Sequence, residues 1–241
     1  MPRLSYQNFD DRTSAHRLAS IGFSRSWRSD TAKLLDFSRP EEQNGGIRGT
    51  QCQKRLEGSV KVQNKVVVVT GAGAGMGREV TLELLRRGAK AVVAVDVKQE
   101  AINETITLAG DNVHRISSHV VDISNIDQVK ELPARVLELH AQVDGLINVA
   151  GIIHKFHTVA DLSYEEIHRV FNVNFFGTVH MVKEFLPHLL ARPEAQITNI
   201  SSMGSYVPVP GQTVYGASKA AVKLFTEGLR SELAEIGRAH V

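Results

Sequence analysis

The sequence predicts an α/β fold built on a doubly wound, mostly parallel sheet with helices on both faces. Residues 65–70, "KVVVVT", form a short β-branched run of the kind found in buried parallel strands, and glycines end it. Strand-like and helix-like segments then alternate as far as residue 235, which is typical of βαβ units. These observations predict one α/β domain over residues 64–235.

The predicted elements follow one another in a regular order. The strands are short apolar runs, expected at 65–70, 91–96, 113–123, 143–151 and 195–201. The helices carry apolar residues at helical spacing, expected at 76–90, 98–110, 125–141, 164–190 and 213–235. A further strand should follow the last helix, so we expect the sheet to lack one or more of its final strands.

The composition is that of a globular domain and excludes several classes of protein. Of 241 residues, 42% are hydrophobic and 22% are charged, and no stretch reaches the roughly 18 apolar residues of a membrane span. Residues 61–241 carry 18 basic and 19 acidic side chains, which argues against a nucleic-acid partner. The single cysteine, Cys52, suits a reducing compartment, so we expect a cytoplasmic protein.

Residues 1–63 form a leader with neither strand nor helix periodicity. Ser, Arg, Asn, Asp and Gly dominate it, which predicts disorder. An organelle-targeting peptide is one alternative, against which the seven acidic residues in 1–60 and the lack of an amphipathic stripe argue. Translated sequence that is not native to the protein is another.

The last six residues are expected to be foreign to the protein. Residues 236–241 read "IGRAHV", which a common sequencing-adapter sequence encodes. We therefore predict that they are adapter read-through and that the natural protein continues beyond residue 235. The alternative is an ordinary helix end with Gly237 as its C-cap.

A glycine loop, "TGAGAGMG", lies between the first strand and the first helix. Gly71 would permit the tight turn, Gly75 would let the backbone approach a pyrophosphate, and Gly77 would allow close packing of helix on strand. The phosphates would lie at the helix N-terminus, where N–H groups and the helix dipole favour negative charge. The alternative is a merely flexible connection.

Asp96 ends the second strand, 19 residues after Gly77. A carboxylate there can accept hydrogen bonds from an adenosine ribose and would repel a 2′-phosphate, which favours NAD(H) over NADP(H). Lys98 and Arg78 are near enough to contact a phosphate, so NADP(H) is not excluded. Asp96 could also cap the helix that starts near Lys98, and the two roles are compatible.

Tyr215 and Lys219 are four residues apart, so on a helix they project from one face. An ammonium beside a phenol favours the phenolate, and such a tyrosine can exchange a proton with an alcohol or a carbonyl near neutral pH. Ser202 lies thirteen residues before Tyr215. Each residue alone could be structural: Ser202 at a strand end, Tyr215 as a half-buried core aromatic.

In combination, these motifs resemble the short-chain dehydrogenase/reductase family in its short, single-domain version. In family order they are the glycine loop, "VDI" at 121–123, "NVAG" at 148–151, "NVNFFG" around Asn174, Ser202, and the Tyr215-x-x-x-Lys219 motif. The resemblance covers residues 64–235 and implies a Rossmann-like fold. One departure is Val149, where the family usually has a second Asn, which would cost a hydrogen bond between strands.

The resemblance also implies roles for the residues. Tyr215 would be the general acid/base, and Lys219 would hold the nicotinamide ribose and favour the phenolate. Ser202 would bind the substrate oxygen, and Asn174 would hold a water that links Lys219 to solvent. The cofactor-binding residues would be Thr70, Gly71, Gly75, Met76, Gly77, Asp96, Asp122, Ile123, Asn148, Ala150, Gly151, Tyr215 and Lys219.

The predicted function is hydride transfer between a nicotinamide cofactor and a secondary alcohol/ketone pair. The apolar residues 152–153 and 207–211 would flank the reacting carbon, so the substrate is expected to have an apolar body. The family implies a homodimer or homotetramer, and a substrate-covering segment that this chain lacks, so we expect the chain itself to be poorly soluble or inactive. The alternative function is a non-catalytic cofactor-binding protein.

No metal site is predicted. His154 and His157 form a His-x-x-His pair after the fourth strand, but no third ligand is evident. We therefore expect these histidines in a solvated or substrate-facing loop.

Overall fold

A computed structural model describes residues 61–235 of the chain. Most of the predicted leader (1–60) and the predicted adapter segment (236–241) lie outside the described residues. The interpretations placed on those segments therefore stay predictions.

The described residues form a five-stranded sheet in which every pairing is parallel. The strands are β1 (Val66–Thr70), β2 (Ala91–Asp96), β3 (Ile116–Val120), β4 (Gly145–Asn148) and β5 (Gln196–Asn199). Their order in the sheet is β3-β2-β1-β4-β5, so the chain moves outward from β1 in both directions. This confirms the predicted doubly wound, Rossmann-like fold, with β5 at one edge.

Helices cover both faces of the sheet: α1 (Gly75–Arg86), α2 (Gln99–Leu108), α3 (Ile126–His140), α4 (Tyr164–Phe171), α5 (Thr178–Leu190) and α6 (Thr213–Glu235). Two apolar cores form because alternate side chains of each buried strand point to opposite faces of the sheet. On one face Val67 and Val69 pack under α1 and α2, and on the other Val66 and Val68 pack under α3, α5 and α6. No helix in this part of the chain is long and apolar enough to cross a membrane.

The sequence predicts one continuous α-helix over residues 164–190. The structure instead has two α-helices there, α4 and α5, joined by a π-helical turn at Asn172–Gly177. Single π-turns are rare and are often found at functional sites. Here the turn carries Asn174, whose side-chain amide hydrogen-bonds both backbone groups of Ile152. This long-range contact stabilises the widened turn, and local periodicity gives no sign of it.

A buried ion pair ties the amino ends of the strands together, opposite the glycine loop. Asp144 accepts hydrogen bonds from Arg192 Nε at 2.8 Å, from the Val66 N–H at 2.9 Å and from Gln142 Nε2 at 2.9 Å. The carboxylate is buried, and these donors satisfy its charge. A second, more exposed pair joins Lys65 to Glu194 nearby.

Candidate active site

The glycine loop, residues 70–77, lies at the carboxyl end of β1 and forms one side of the candidate site. Gly71 has a φ of +69°, and a Cβ on it would lie 2.9 Å from the Cα of Ala150. A Cβ on Gly77 would lie only 2.0 Å from the carbonyl oxygen of Gly71, so no larger residue fits there. These contacts match the tight turn and the close packing that the sequence predicts for Gly71 and Gly77.

The amino end of α1 is open to a ligand. Ala74 precedes the helix without a side-chain cap, and the first helical turn has no acidic residue. A Cβ on Gly75, which has a φ of +51°, would meet none of the described atoms within 4 Å. The first helical hydrogen bond runs from the Arg78 N–H to the carbonyl oxygen of Ala74, so the N–H groups of Gly75, Met76 and Gly77 precede it. A phosphate group fits this terminus.

The Asp96 carboxylate lies beside the same loop. One oxygen accepts from the Gly73 N–H at 2.9 Å, and the other accepts from the Lys98 N–H at 3.2 Å. Asp96 therefore fixes the loop and supports the chain just before α2, while its side chain stays partly exposed. Arg78 binds the Gly73 carbonyl oxygen and Glu104 Oε2, at 2.5 and 2.6 Å, so its guanidinium is held by the protein.

A cleft of about 340 Å³ extends from the glycine loop across the ends of the next strands. Asp122 Oδ1 accepts from both the N–H and the hydroxyl of Ser124, and the Ile123 carbonyl oxygen contacts His180 Nδ1 at 3.0 Å. The cleft brings together six of the predicted cofactor-binding residues, which are Gly71, Asp96, Asp122, Ile123, Ala150 and Gly151.

Thr70 and Asn148 lie beneath the cleft. Thr70 is fully buried, and its hydroxyl oxygen accepts from the N–H groups of Val149 and Ala150 at 3.1 and 3.2 Å. Asn148 Nδ2 donates to Asn199 Oδ1 at 2.9 Å, so a side-chain hydrogen bond joins β4 to β5. Both side chains hold strand ends in place, and a contribution to cofactor binding would be indirect.

Lys219 is 5% exposed and points into the site from α6. Its Nζ donates to the carbonyl oxygen of Ile200 at 2.8 Å, and a Cβ on Gly151 would lie 3.2 Å from the same atom. Gly151 therefore leaves the space that the ammonium occupies. Burial lowers the pKa of Lys219.

Asn174 joins three parts of the site. Its Oδ1 accepts from the Ile152 N–H at 2.7 Å, and its Nδ2 donates to the Ile152 carbonyl oxygen and to Ser218 Oγ. Ser218 in turn donates to the carbonyl oxygen of Tyr215 at 2.7 Å. These bonds engage both polar atoms of the Asn174 side chain, so a water held by Asn174 would bind its main-chain carbonyl. Sequence reasoning did not single out Ser218.

Ser202 and Tyr215 come from two elements that pack together. Ser202 precedes a 3₁₀ turn, Met203–Ser205, and its Oγ accepts from the Gly204 N–H at 3.2 Å. Gly204 packs on α6, where an added Cβ would lie 3.7 Å from the Cα of Gly216 and 3.9 Å from Tyr215 Cδ1. The turn that carries Ser202 is therefore in contact with the half-buried Tyr215.

His154 lies in a loop, as predicted, but its side chain is not solvated. His154 is 8% exposed, and its Nε2 lies 3.3 Å from the backbone nitrogen of Tyr215, 61 residues away. His157 is exposed, as expected. The described residues contain no group of three side chains that could hold a metal. Nothing local in the sequence indicates the contact between His154 and Tyr215, because the fold alone brings the two residues together.

Three comparisons place this geometry among known proteins. Residues 65–239 match the family model described as short chain dehydrogenase. SadH of Mycobacterium tuberculosis is 36% identical over 171 residues, which make up 71% of this chain and 61% of SadH. This chain thus spans less than two thirds of the length of that relative.

Solved structures with bound cofactor share the fold. A short chain dehydrogenase/reductase from Burkholderia phymatum in complex with NAD has a TM-score of 0.70 and 30% identity, covering 76% of this chain and 64% of that chain. ElxO with NADP bound has a TM-score of 0.68 and 27% identity, covering 72% of this chain and 69% of that chain. Similar folds therefore bind either nicotinamide cofactor.

Proposed function

Because the chain belongs to the short-chain dehydrogenase family, we propose that it is an NAD(P)-dependent oxidoreductase acting on a secondary alcohol/ketone pair, with residues 64–235 as its cofactor-binding domain. The observation that carries this proposal is the packing of the Ser202 turn against Tyr215, with Lys219 one helical turn further along α6. These three residues lie at the carboxyl edge of the sheet, the edge at which the glycine loop ends β1. The proposed proton-transfer residues would thus lie at the same edge of the sheet as the proposed cofactor-binding cleft.

Residues of the chain would transfer the proton, and the bound nicotinamide would supply or accept the hydride. Tyr215 Oη would donate a proton to the carbonyl oxygen during reduction and accept it from the alcohol during oxidation. The buried Lys219 ammonium would favour the phenolate form of Tyr215 through its positive charge. Ser202 Oγ would donate a hydrogen bond to the substrate oxygen and stabilise its developing negative charge.

NAD(H) is the proposed cofactor. Asp96 places a carboxylate beside the glycine loop, where it would bind ribose hydroxyls and repel a 2′-phosphate. The Arg78 guanidinium already binds the Gly73 carbonyl oxygen and Glu104, so it is poorly placed to compensate a phosphate. Lys98 has an exposed side chain and is the cation through which NADP(H) could bind instead.

A substrate with an apolar body fits the exposed apolar side chains next to the site. Met203, which directly follows Ser202, is 74% exposed, and Tyr206, four residues after Ser202, is 67% exposed. Ile153, Val207 and Val209 are exposed as well. Contact with an apolar substrate would bury these side chains and contribute to affinity.

Exposed apolar side chains on the described part of the chain favour self-association. Phe176 in the π-helical turn and Leu224 on α6 are large apolar side chains that are exposed in the single chain. A second copy that covered them would give a homodimer or homotetramer. A cytoplasmic location stays a prediction, as does low activity or solubility of this chain.

Turnover and cofactor binding by the wild type and the Tyr215→Phe variant test the proposed function. The full chain is titrated with NADH and NADPH by fluorescence and assayed with a panel of apolar secondary alcohols and ketones. We expect Tyr215→Phe to keep cofactor binding and to lose at least about 100-fold in kcat, because it lacks the proton donor. Equal turnover by the variant would contradict the proposal. A wild type that binds neither NADH nor NADPH would contradict it as well. Cofactor binding without turnover agrees both with the non-catalytic alternative and with the low activity predicted for this chain.

A further inference from the structure

We propose that His154 is a positioning residue, which holds the backbone of Tyr215 in place from the loop after β4. The proposal rests on the proposed function, because it concerns the placement of the acid/base group. It goes beyond that function by assigning a role to a residue outside the Ser202, Tyr215 and Lys219 set.

The contacts of His154 define its orientation. Its Nε2 accepts a hydrogen bond from the backbone N–H of Tyr215 at 3.3 Å, because a backbone N–H can only donate. Its Nδ1 lies 2.6 Å from the carbonyl oxygen of Lys155, so this nitrogen carries the proton. The ring is buried, and both of its nitrogens have partners.

The Tyr215 N–H needs an acceptor from outside the helix. Tyr215 is the third residue of α6, and the next N–H along the chain, that of Gly216, donates to the carbonyl oxygen of Gln212. The N–H groups in the first turn of a helix have no partner within the helix. A partly buried N–H without an acceptor is destabilising, and the imidazole of His154 supplies the acceptor that the helix lacks.

Two further bonds hold the same loop against the start of α6. Gln212 Nε2 donates to the carbonyl oxygen of His154 at 3.1 Å, and the His157 N–H donates to the carbonyl oxygen of Gly211 at 3.3 Å. Phe156 packs on Gly211, where an added Cβ would lie 3.3 Å from its ring. Of these contacts, only the Nε2 bond reaches the backbone of the acid/base residue itself.

A displacement of the Tyr215 backbone would be transmitted to its hydroxyl group. Proton transfer requires the donor and the acceptor within about 2.6–3.2 Å of each other. A misplacement of about 1 Å can cost on the order of 100-fold in rate. The loss of one hydrogen bond to the backbone should cost less, about 10-fold in kcat, while contacts to the cofactor stay unchanged.

A pair of amide variants separates the hydrogen bond from the packing of the ring. In His154→Gln the side-chain amide oxygen can reach the position of Nε2, whereas in His154→Asn the shorter amide reaches only the position of Nδ1. His157→Asn is the matched control, because His157 is an exposed histidine of the same loop and contributes a backbone N–H rather than its ring. All variants are made in the full chain.

We expect His154→Asn to lower kcat about 10-fold with an unchanged KM for the cofactor, and we expect His154→Gln and His157→Asn to stay within about twofold of the wild type. Equal kcat in His154→Asn and the wild type would overturn the proposal. So would an equal loss in His154→Gln and His154→Asn, because the ring would then act through packing.

Hydrogen exchange at the Tyr215 amide gives a readout that does not require turnover. Exchange in peptides that cover the start of α6 should be faster in His154→Asn and close to wild type in His154→Gln and His157→Asn. Unchanged exchange in His154→Asn would refute the hydrogen bond. A wild type that binds neither NADH nor NADPH would refute the proposed function, while the exchange experiment still decides whether His154 holds the helix.

Discussion

Gly204 and Gly216 are in direct contact, and a Cβ on Gly216 would lie 2.8 Å from the Gly204 carbonyl oxygen. Gly216 follows Tyr215 on α6, and Gly204 lies two residues after Ser202. The absence of a side chain at Gly216 therefore lets the Ser202 turn rest on the helix beside Tyr215. The distance between the two proposed substrate-binding groups depends on this contact.

Gly216→Ala should lower kcat/KM by about 10-fold, because the added methyl group pushes the Ser202 turn away from α6. Gly228→Ala is the control on the same helix, since an added Cβ there meets none of the described atoms within 4 Å. Replacing Gly by Ala should stabilise α6 at position 228 by up to about 1 kcal/mol without loss of activity. Steady-state kinetics and thermal unfolding of the two variants check the prediction, and equal activity in both would contradict it.

The sequence allowed the central strands to be predicted because their burial on both faces leaves a strong local pattern. The run at Val66–Thr70 and its parallel partner Ala91–Asp96 were placed almost residue for residue. The glycine loop was also predictable, since its turn and its close helix–strand contact require glycine at fixed positions. The 3₁₀ helix Gly110–Arg115 was missed, and the third strand was predicted to start too early.

The parts of the site that could not be predicted depend on contacts between distant segments. His154 and Tyr215 are 61 residues apart, and Asn174 and Ser218 are 44 residues apart. No local periodicity indicates such pairs. The chemistry of Tyr215, Lys219 and Asn174 could be predicted from the motifs, whereas the contacts that His154 and Ser218 make with this group could not.

The negative charge of Asp96 should determine which cofactor binds. Its carboxylate oxygens should hold the glycine loop in its conformation through their hydrogen bonds. Asp96→Asn removes the charge and can keep an acceptor for the Gly73 N–H, whereas Asp96→Ala removes both. We expect Asp96→Asn to raise the affinity for NADPH relative to NADH by about 10-fold, because the repulsion of the 2′-phosphate is lost. Asp96→Ala should in addition weaken the binding of both cofactors. Fluorescence titration measures these affinities, and a ratio unchanged in Asp96→Asn would refute the role of the charge.

Replacing Asp144 should lower the free energy of unfolding and have little effect on kcat, because Asp144 lies at the amino end of the sheet, opposite the candidate site. Asp144→Ala removes a charged partner of Arg192 and leaves the buried Val66 N–H without its acceptor, so we expect a loss of about 2–3 kcal/mol in the free energy of unfolding. Glu194→Ala breaks a pair whose carboxylate is 43% exposed, so we expect a loss below about 1 kcal/mol. Urea unfolding of both variants tests this difference, and equal losses would contradict it.

His119 should make the protein less stable in mild acid. It is 3% exposed on β3, and neither ring nitrogen has a hydrogen-bond partner among the described residues. Burial lowers the pKa of His119 to about 4, and the charges of Arg135 and His140 act in the same direction. A histidine in the unfolded chain has a pKa near 6.5, so between about pH 4 and 6.5 the unfolded chain binds a proton that the folded protein does not.

The free energy of unfolding should therefore fall as the pH decreases from about 6.5 to 4, by up to about 3 kcal/mol from His119. His119→Leu should flatten this dependence, and it should cost little at pH 8 because it removes a buried ring whose polar atoms have no partner. Urea unfolding across pH 4–8 gives the slope for both proteins. Burial also lowers the pKa of His140, so part of the slope should remain in the variant. Identical slopes in the variant and the wild type would show that His119 is not the group that titrates.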